Sequence, residues 1–322
     1  MSMSVSGQRL ALGALGAALV VSALLLLDLA AGVAYPLVVA LLAAIGIAIS
    51  AGIGSSGGAR PAWLRFGIDR VDLLVIIVLY ALVVAGFRLA FTVFTQANVL
   101  GLFLSFGAAL LLGVVGPIAY GMGRGRPLAA LGLRVGDWRA TAGLAVLFAG
   151  VQYAVTLSRV EYPAPEVWLP LLAMSLVVGL FEAVFFRGFV QNRLEASFGL
   201  VPAVAIAAAM YGIYHIGYGM GPAEMVFLAG LGAVYGVAFR SAGSVLVLWP
   251  LLTPLGSLFN QLQAGDVAMP MIAILGFADL FGLMLGAIWY ARRAERKGRT
   301  SGDSATATTT PTGFAQPRQA KG

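Results

Sequence analysis

The chain has 322 residues, 60% of them hydrophobic and 10% charged, with a net charge of +7 and a mean hydropathy of +0.95. An ordinary soluble domain carries about 25% charged residues, so this composition cannot cover a water-facing surface, and an integral membrane protein surrounded by lipid is expected. The arginines are scattered among loops, so the positive charge carries no signal for a nucleic-acid partner.

Long apolar runs predict helical spans, because a β-barrel would show short segments of alternating polarity. The fold class is therefore all-α, a polytopic transmembrane bundle of about ten spans. In chain order they fall near 10–34, 37–54, 72–95, 98–122, 141–158, 169–194, 201–219, 223–240, 244–263 and 269–291. The first is too long for the apolar region of a signal peptide and runs straight into the second, so an uncleaved helix is expected. The loops at 55–71 and 123–140 hold Arg60, Arg65, Arg70, Arg124, Arg126, Arg134 and Arg139, while the alternate loops together hold one Arg. That asymmetry puts both termini in the cytoplasm, and the plasma membrane is the expected location. Residues 299–322, rich in Thr, Ala, Gly and Pro, are expected to be disordered. No internal repeat suggests the inverted halves of a transporter, although WPLLTPLG could break the span at 244–263.

Ionisable groups inside spans cost about 2.5–3.5 kcal/mol each on insertion scales. Asp28 is expected at an interface, Arg88 to snorkel or pair within the bundle, and Asp279 to partner Arg88 or another polar group. The later spans carry a more organised set: Glu182 and Arg187 in FEAVFFRGFVQNRL, Tyr211 and His215 in MYGIYH, and Asn260 at the end of LWPLLTPLGSLFNQ. A carboxylate, an imidazole and a carboxamide are the ingredients of water activation and oxyanion binding. They are equally the ingredients of a helix-packing cluster. There is no Cys and one His, so a zinc site of three or four protein ligands would have to be built almost wholly from carboxylates.

FEAVFFRGFVQNRL resembles the first motif, Glu-Glu-x-x-x-Arg, of the CAAX protease and bacteriocin-processing (CPBP, or Abi) family of intramembrane proteases. Tyr211-Gly-Ile-Tyr-His215 is similar to the family's second motif, Phe-x-x-x-His, and GSLFN to the third, His-x-x-x-Asn. The resemblance implies a CPBP-like core at 128–291, preceded by N-terminal transmembrane helices at 1–127 and followed by a cytoplasmic tail at 292–322. It implies an endopeptidase acting on peptides or membrane-protein ends, in which Glu182 and His215 activate water and Asn260 binds the oxyanion. Arg187 and Tyr211 support them, without a cofactor.

Two residues depart from the pattern. Ala183 stands where the family has its second Glu, which leaves Arg187 without a carboxylate one turn away. Gly256 stands at the His of the third motif, so one oxyanion donor is missing, and Thr253 or Ser257 is a possible substitute. The departures favour a metal-independent glutamate mechanism and also admit an inactive relative serving as scaffold or chaperone. Because Glu182 and His215 must meet at one depth, the helix carrying Glu182 is expected to continue through Leu194.

Overall fold

The computed structural model describes residues 67–94, 98–134, 138–264 and 269–306. Every regular element among them is helical. The helix α1 starts at Arg70, where the Asp69 carboxylate caps the Val71 and Asp72 N–H groups, and runs to Phe94, closing in a wide π turn at Leu89–Phe94. Asn98 caps α2 (Val99–Gly123) by accepting from Gly101 N–H. After a short 3-10 turn at Leu128–Leu131 come α3 (Trp138–Val155) and α4 (Pro165–Phe198). The chain returns as α5 (Leu200–Tyr214) and a 3-10 turn at His215–Tyr218, then α6 (Pro222–Ala242), α7 (Leu252–Ala264) and α8 (Ala273–Thr306).

Among the described residues, six helices are long and apolar enough to cross a membrane: Arg70–Phe94, Val99–Gly123, Pro165–Phe198, Leu200–Tyr218, Pro222–Arg240 and Ala273–Lys297. Each coincides with a span predicted from hydropathy, and the protein is an integral membrane protein. The predicted spans at 10–34 and 37–54, with Asp28, lie outside the described residues. The one at 141–158 is α3, whose apolar stretch Thr141–Gly150 is short. The one at 244–263 is not continuous: a 3-10 turn at Val245–Val247 precedes α7, which has 13 residues. Pro250 has no N–H to give a helix and biases Trp249 away from helical geometry, which breaks the segment between the two pieces. At the other end, α8 runs on to Thr306, so helix enters the segment for which composition predicts disorder; residues 307–322 lie outside the description.

The helix α4 organises the bundle. Its middle, from Val177 to Leu194, is buried almost without interruption, among α2, α5, α7 and α8. Gly188 allows one close approach there, since a methyl at that position would run into the Leu131 carbonyl oxygen. The first two helices belong to the same core. Phe87 of α1 packs against Phe181 and Tyr214, and the Tyr80 hydroxyl donates to the Met210 carbonyl at 2.9 Å. Residues on both sides of position 127 thus contribute to one packed core.

One end of the bundle is held by ion pairs. Asp72 accepts from both guanidinium nitrogens of Arg126, at 2.7 and 2.9 Å, and from the Tyr120 hydroxyl. Asp69 pairs with Arg124, and Glu195 with Arg240 at 2.8 Å. Arg193 donates to the Ala130 carbonyl, as does Asn192, fixing the end of α4 to the 3-10 turn. Burial works against the charge of Arg126, but its bonds to Asp72 outweigh this and raise its pKa. Among the described residues Arg88 and Asp279 form no ion pair. Arg88 donates to the Ile216 carbonyl at 3.3 Å, and Asp279 is exposed on α8.

Candidate active site

Glu182 lies near the middle of the 34-residue helix α4, where the backbone changes register. From Ala183 to Gln191 the hydrogen bonds follow a π pattern, a rare arrangement that recurs at functional sites. The change bears on the spacing of Glu182 and Arg187. Five residues along an α-helix turn a side chain through about 140°, whereas the wider π turn brings positions five apart toward one face. Both side chains are buried, at 7% and 2% exposure.

Depth is matched by a hairpin. Gly199, at φ 84°, ends α4 and starts α5. Glu182 is 17 residues before it and Tyr214 15 after it, so two helical arms of similar length hold them at similar distances from the bend. The continuous helix through Leu194 that this requires is present.

The Glu182 carboxylate accepts two phenolic hydroxyls, Tyr211 on Oε2 at 3.2 Å and Tyr214 on Oε1. No ion pair or hydrogen bond joins it to Arg187 or His215 among the described residues. Tyr214 links it to the histidine instead, its ring centred 4.0 Å from the imidazole. The His215 Nδ1 lies 2.8 Å from the Tyr211 carbonyl oxygen. A carbonyl can only accept, so Nδ1 carries the proton and Nε2 of the neutral ring is left as an acceptor. Phe87, Phe186 and Tyr218 surround this group and make its environment apolar.

Arg187 has neither of the partners a buried guanidinium normally finds. It lies over the Tyr211 ring, 5.1 Å from the centroid, and both terminal nitrogens lack a hydrogen bond among the described residues. The Gln191 Oε1 is also unpaired, while its Nε2 donates to the Gly236 carbonyl. The Ala183 methyl, one turn away, offers nothing to this cation.

On α7, Thr253 Oγ1 leans toward the Gly179 and Leu248 carbonyls, at 3.5 and 3.3 Å, so its proton is committed inside the packing. Gly256 is buried, and Asn260 is exposed one turn further on, away from the buried cluster of Glu182 and the tyrosines. Tyr214 was missed by the motif reading. The spacing Tyr211, Tyr214, Tyr218 places all three on one helical face and was the signal that could have found it. Among the described residues no three His, Asp or Glu side chains are gathered closely enough to hold a metal ion, so no step through a metal follows from these donors.

No curated protein and no solved structure matches the chain. Residues 164–251 match the family model of the type II CAAX prenyl endopeptidases, Rce1-like. That segment contains Glu182, Arg187, Tyr211 and His215 and stops short of Gly256 and Asn260. The match gives a coarse reading as a membrane protease with peptide or protein substrates. Over these residues, which hold the first two motifs and not the third, the chain is similar to that family of membrane endopeptidases.

Proposed function

We propose that this protein is an intramembrane endopeptidase of glutamate type, acting on peptides or membrane-protein ends, with its core at 128–291 and both termini in the cytoplasm of the plasma membrane. The observation that carries the proposal is the Glu182 carboxylate, buried at mid-helix, bonded among the described residues to two neutral hydroxyls and flanked by a histidine whose Nε2 can accept.

A carboxylate bonded this way is aligned but not neutralised. Two of its roughly four lone-pair directions are taken, which leaves capacity to accept a water proton. His215 Nε2 accepts the second hydrogen of that water and orients its oxygen. Water adds to the scissile carbonyl carbon, its proton passes to Glu182, and the C=O electron pair moves onto oxygen. Collapse re-forms the carbonyl and breaks the C–N bond, while Glu182 returns the proton to the departing amine. Asn260 is assigned to the oxyanion by the motif resemblance, and its exposed position requires α7 to turn it inward with substrate present.

Incubating the detergent-purified protein with a diverse peptide library, read by mass spectrometry with and without chelator, tests the proposal. Cleavage by wild type that persists with chelator and is lost in Glu182→Gln is expected. His215→Ala should lower the rate about 10²–10³-fold, in the usual range for a lost acid–base partner. Full cleavage by Glu182→Gln would overturn the mechanism.

A further inference from the structure

An excess of positive charge lies at the end of α8. Residues 292–299 read RRAERKGR, five cations and one acid. The acid is turned inward, where Glu295 accepts the Leu128 N–H of the 3-10 turn, and Ala291, one turn earlier, is buried. Arg292, Arg293, Arg296 and Lys297 are exposed, so every exposed residue from 292 to 297 is a cation. Elsewhere at this end of the bundle cations meet acids: Arg126 pairs with Asp72, Arg124 with Asp69 and Arg240 with Glu195.

The same segment closes a membrane span, Ala273–Lys297. Trp289 and Tyr290 are 60% and 64% exposed, and such rings favour the boundary between hydrocarbon and headgroups. At 1.5 Å per residue, Arg292 to Lys297 start about 5–12 Å beyond Trp289 along the helix. Each headgroup layer of a bilayer is about 5–8 Å deep, so these residues begin within it or just outside. Helical side chains tilt toward the N-terminus, which on α8 is back toward the bilayer. Arg293 follows this direction, its guanidinium lying 5.4 Å from the centre of the Trp289 ring one turn before it. Long apolar stems let such charges reach headgroup depth.

We propose that the end of α8 is a binding surface for anionic phospholipids, whose negative headgroups meet Arg292, Arg293, Arg296 and Lys297. Four or more cations beside a membrane span attract anionic lipid through their summed charge, so no side chain has to give up a contact within the protein. The hold reaches the bundle through Glu295. Its bond to Leu128 fastens α8 to the 3-10 turn, and Asn192 and Arg193 fasten the same turn to α4 through the Ala130 carbonyl. Lipid bound here therefore stabilises the packed helices and not only the end of α8.

Three forms of the full, detergent-purified chain test this. They are wild type, a variant with Arg292→Gln, Arg293→Gln, Arg296→Gln and Lys297→Gln, and a variant with Arg292→Lys, Arg293→Lys and Arg296→Lys. Each is titrated with phosphatidylglycerol, phosphatidylcholine or inorganic phosphate, and read by native mass spectrometry for retained lipid and by thermal unfolding. Wild type should retain phosphatidylglycerol about tenfold more tightly than phosphatidylcholine, well within what four cations near an anionic surface supply. Its Tm should rise with phosphatidylglycerol, because the lipid binds the folded state. The Gln variant should lose the preference and the Tm rise, the Lys variant should keep both, and added salt should weaken the preference. If the fourfold Gln variant does not fold, Arg292→Gln with Arg293→Gln reads the same loss. Equal retention of the two lipids by wild type overturns the proposal, as does a Gln variant with wild-type preference or a Lys variant that loses it. An equal Tm rise with inorganic phosphate also overturns it, since the surface would then take soluble anions.

Discussion

The protein buries charge in two places and treats it in opposite ways. At one end of the bundle, Asp72 faces Arg126 through two short bonds and Tyr120 through a third, and Asp69 and Glu195 each have an arginine. In the middle of α4, Glu182 accepts from two tyrosine hydroxyls and Arg187 lies over an aromatic face, its terminal nitrogens without a hydrogen bond among the described residues. Both regions hold carboxylates and guanidiniums on α4 or its neighbours, but only one pairs them. Paired charge closes a structure, because its lone pairs and donors are spent. Unpaired charge costs stability and keeps those groups available for chemistry.

Substitutions that remove charge should therefore act in opposite directions in the two regions. The largest effect is expected from Glu182→Gln, which keeps size and hydrogen-bonding reach but removes the base. Cleavage should fall about 10³–10⁴-fold, near the upper range for general acid–base groups, in a peptide assay. Next is Asp72→Asn, which strands part of the Arg126 charge. Arg126 is partly exposed, so we expect a loss of about 2–3 kcal/mol, below the range for fully buried pairs, as a lower denaturation midpoint with kcat unchanged.

Tyr214→Phe sharpens the comparison within the site. It removes one hydroxyl from the Glu182 carboxylate and leaves the ring against His215. A bond to a charged group contributes about 1.5–3 kcal/mol, so a ten- to hundredfold loss of kcat is expected. Arg187→Met should give the smallest change and the opposite sign. Replacing an unpaired buried cation by an apolar side chain of similar length is expected to stabilise by about 1–2 kcal/mol, raising Tm. A fall in Tm would show that Arg187 is compensated by its surroundings.

Much of this contrast was legible in the sequence, and the missing parts have physical reasons. Hydropathy placed the six long helices because apolar length is what a bilayer demands, and it overran at 244–263 because a sliding average does not register Pro250. Glu182, Arg187, Tyr211 and His215 stand out as polar groups in apolar runs. The π turn at Ala183–Gln191 does not, since α and π turns bury the same residues. Ala183 and Gly256 read as losses in one dimension. The Gln152 side chain that fills the space at Gly256 comes from α3, a hundred residues earlier, and only packing reveals that contact. The lone Gln in AVLFAGVQYAV was a visible polar group, but nothing in its spacing pointed to α7.

The most direct test of the account pairs one glutamate from each region, Glu182→Gln and Glu195→Gln, measured side by side for peptide cleavage and thermal unfolding. We expect Glu182→Gln to lose cleavage while keeping or raising Tm, and Glu195→Gln to lose Tm through its broken ion pair with Arg240 while keeping its kcat. Wild-type cleavage by Glu182→Gln, or equal loss of activity in both, would contradict the division between a closed ionic end and an open reactive centre.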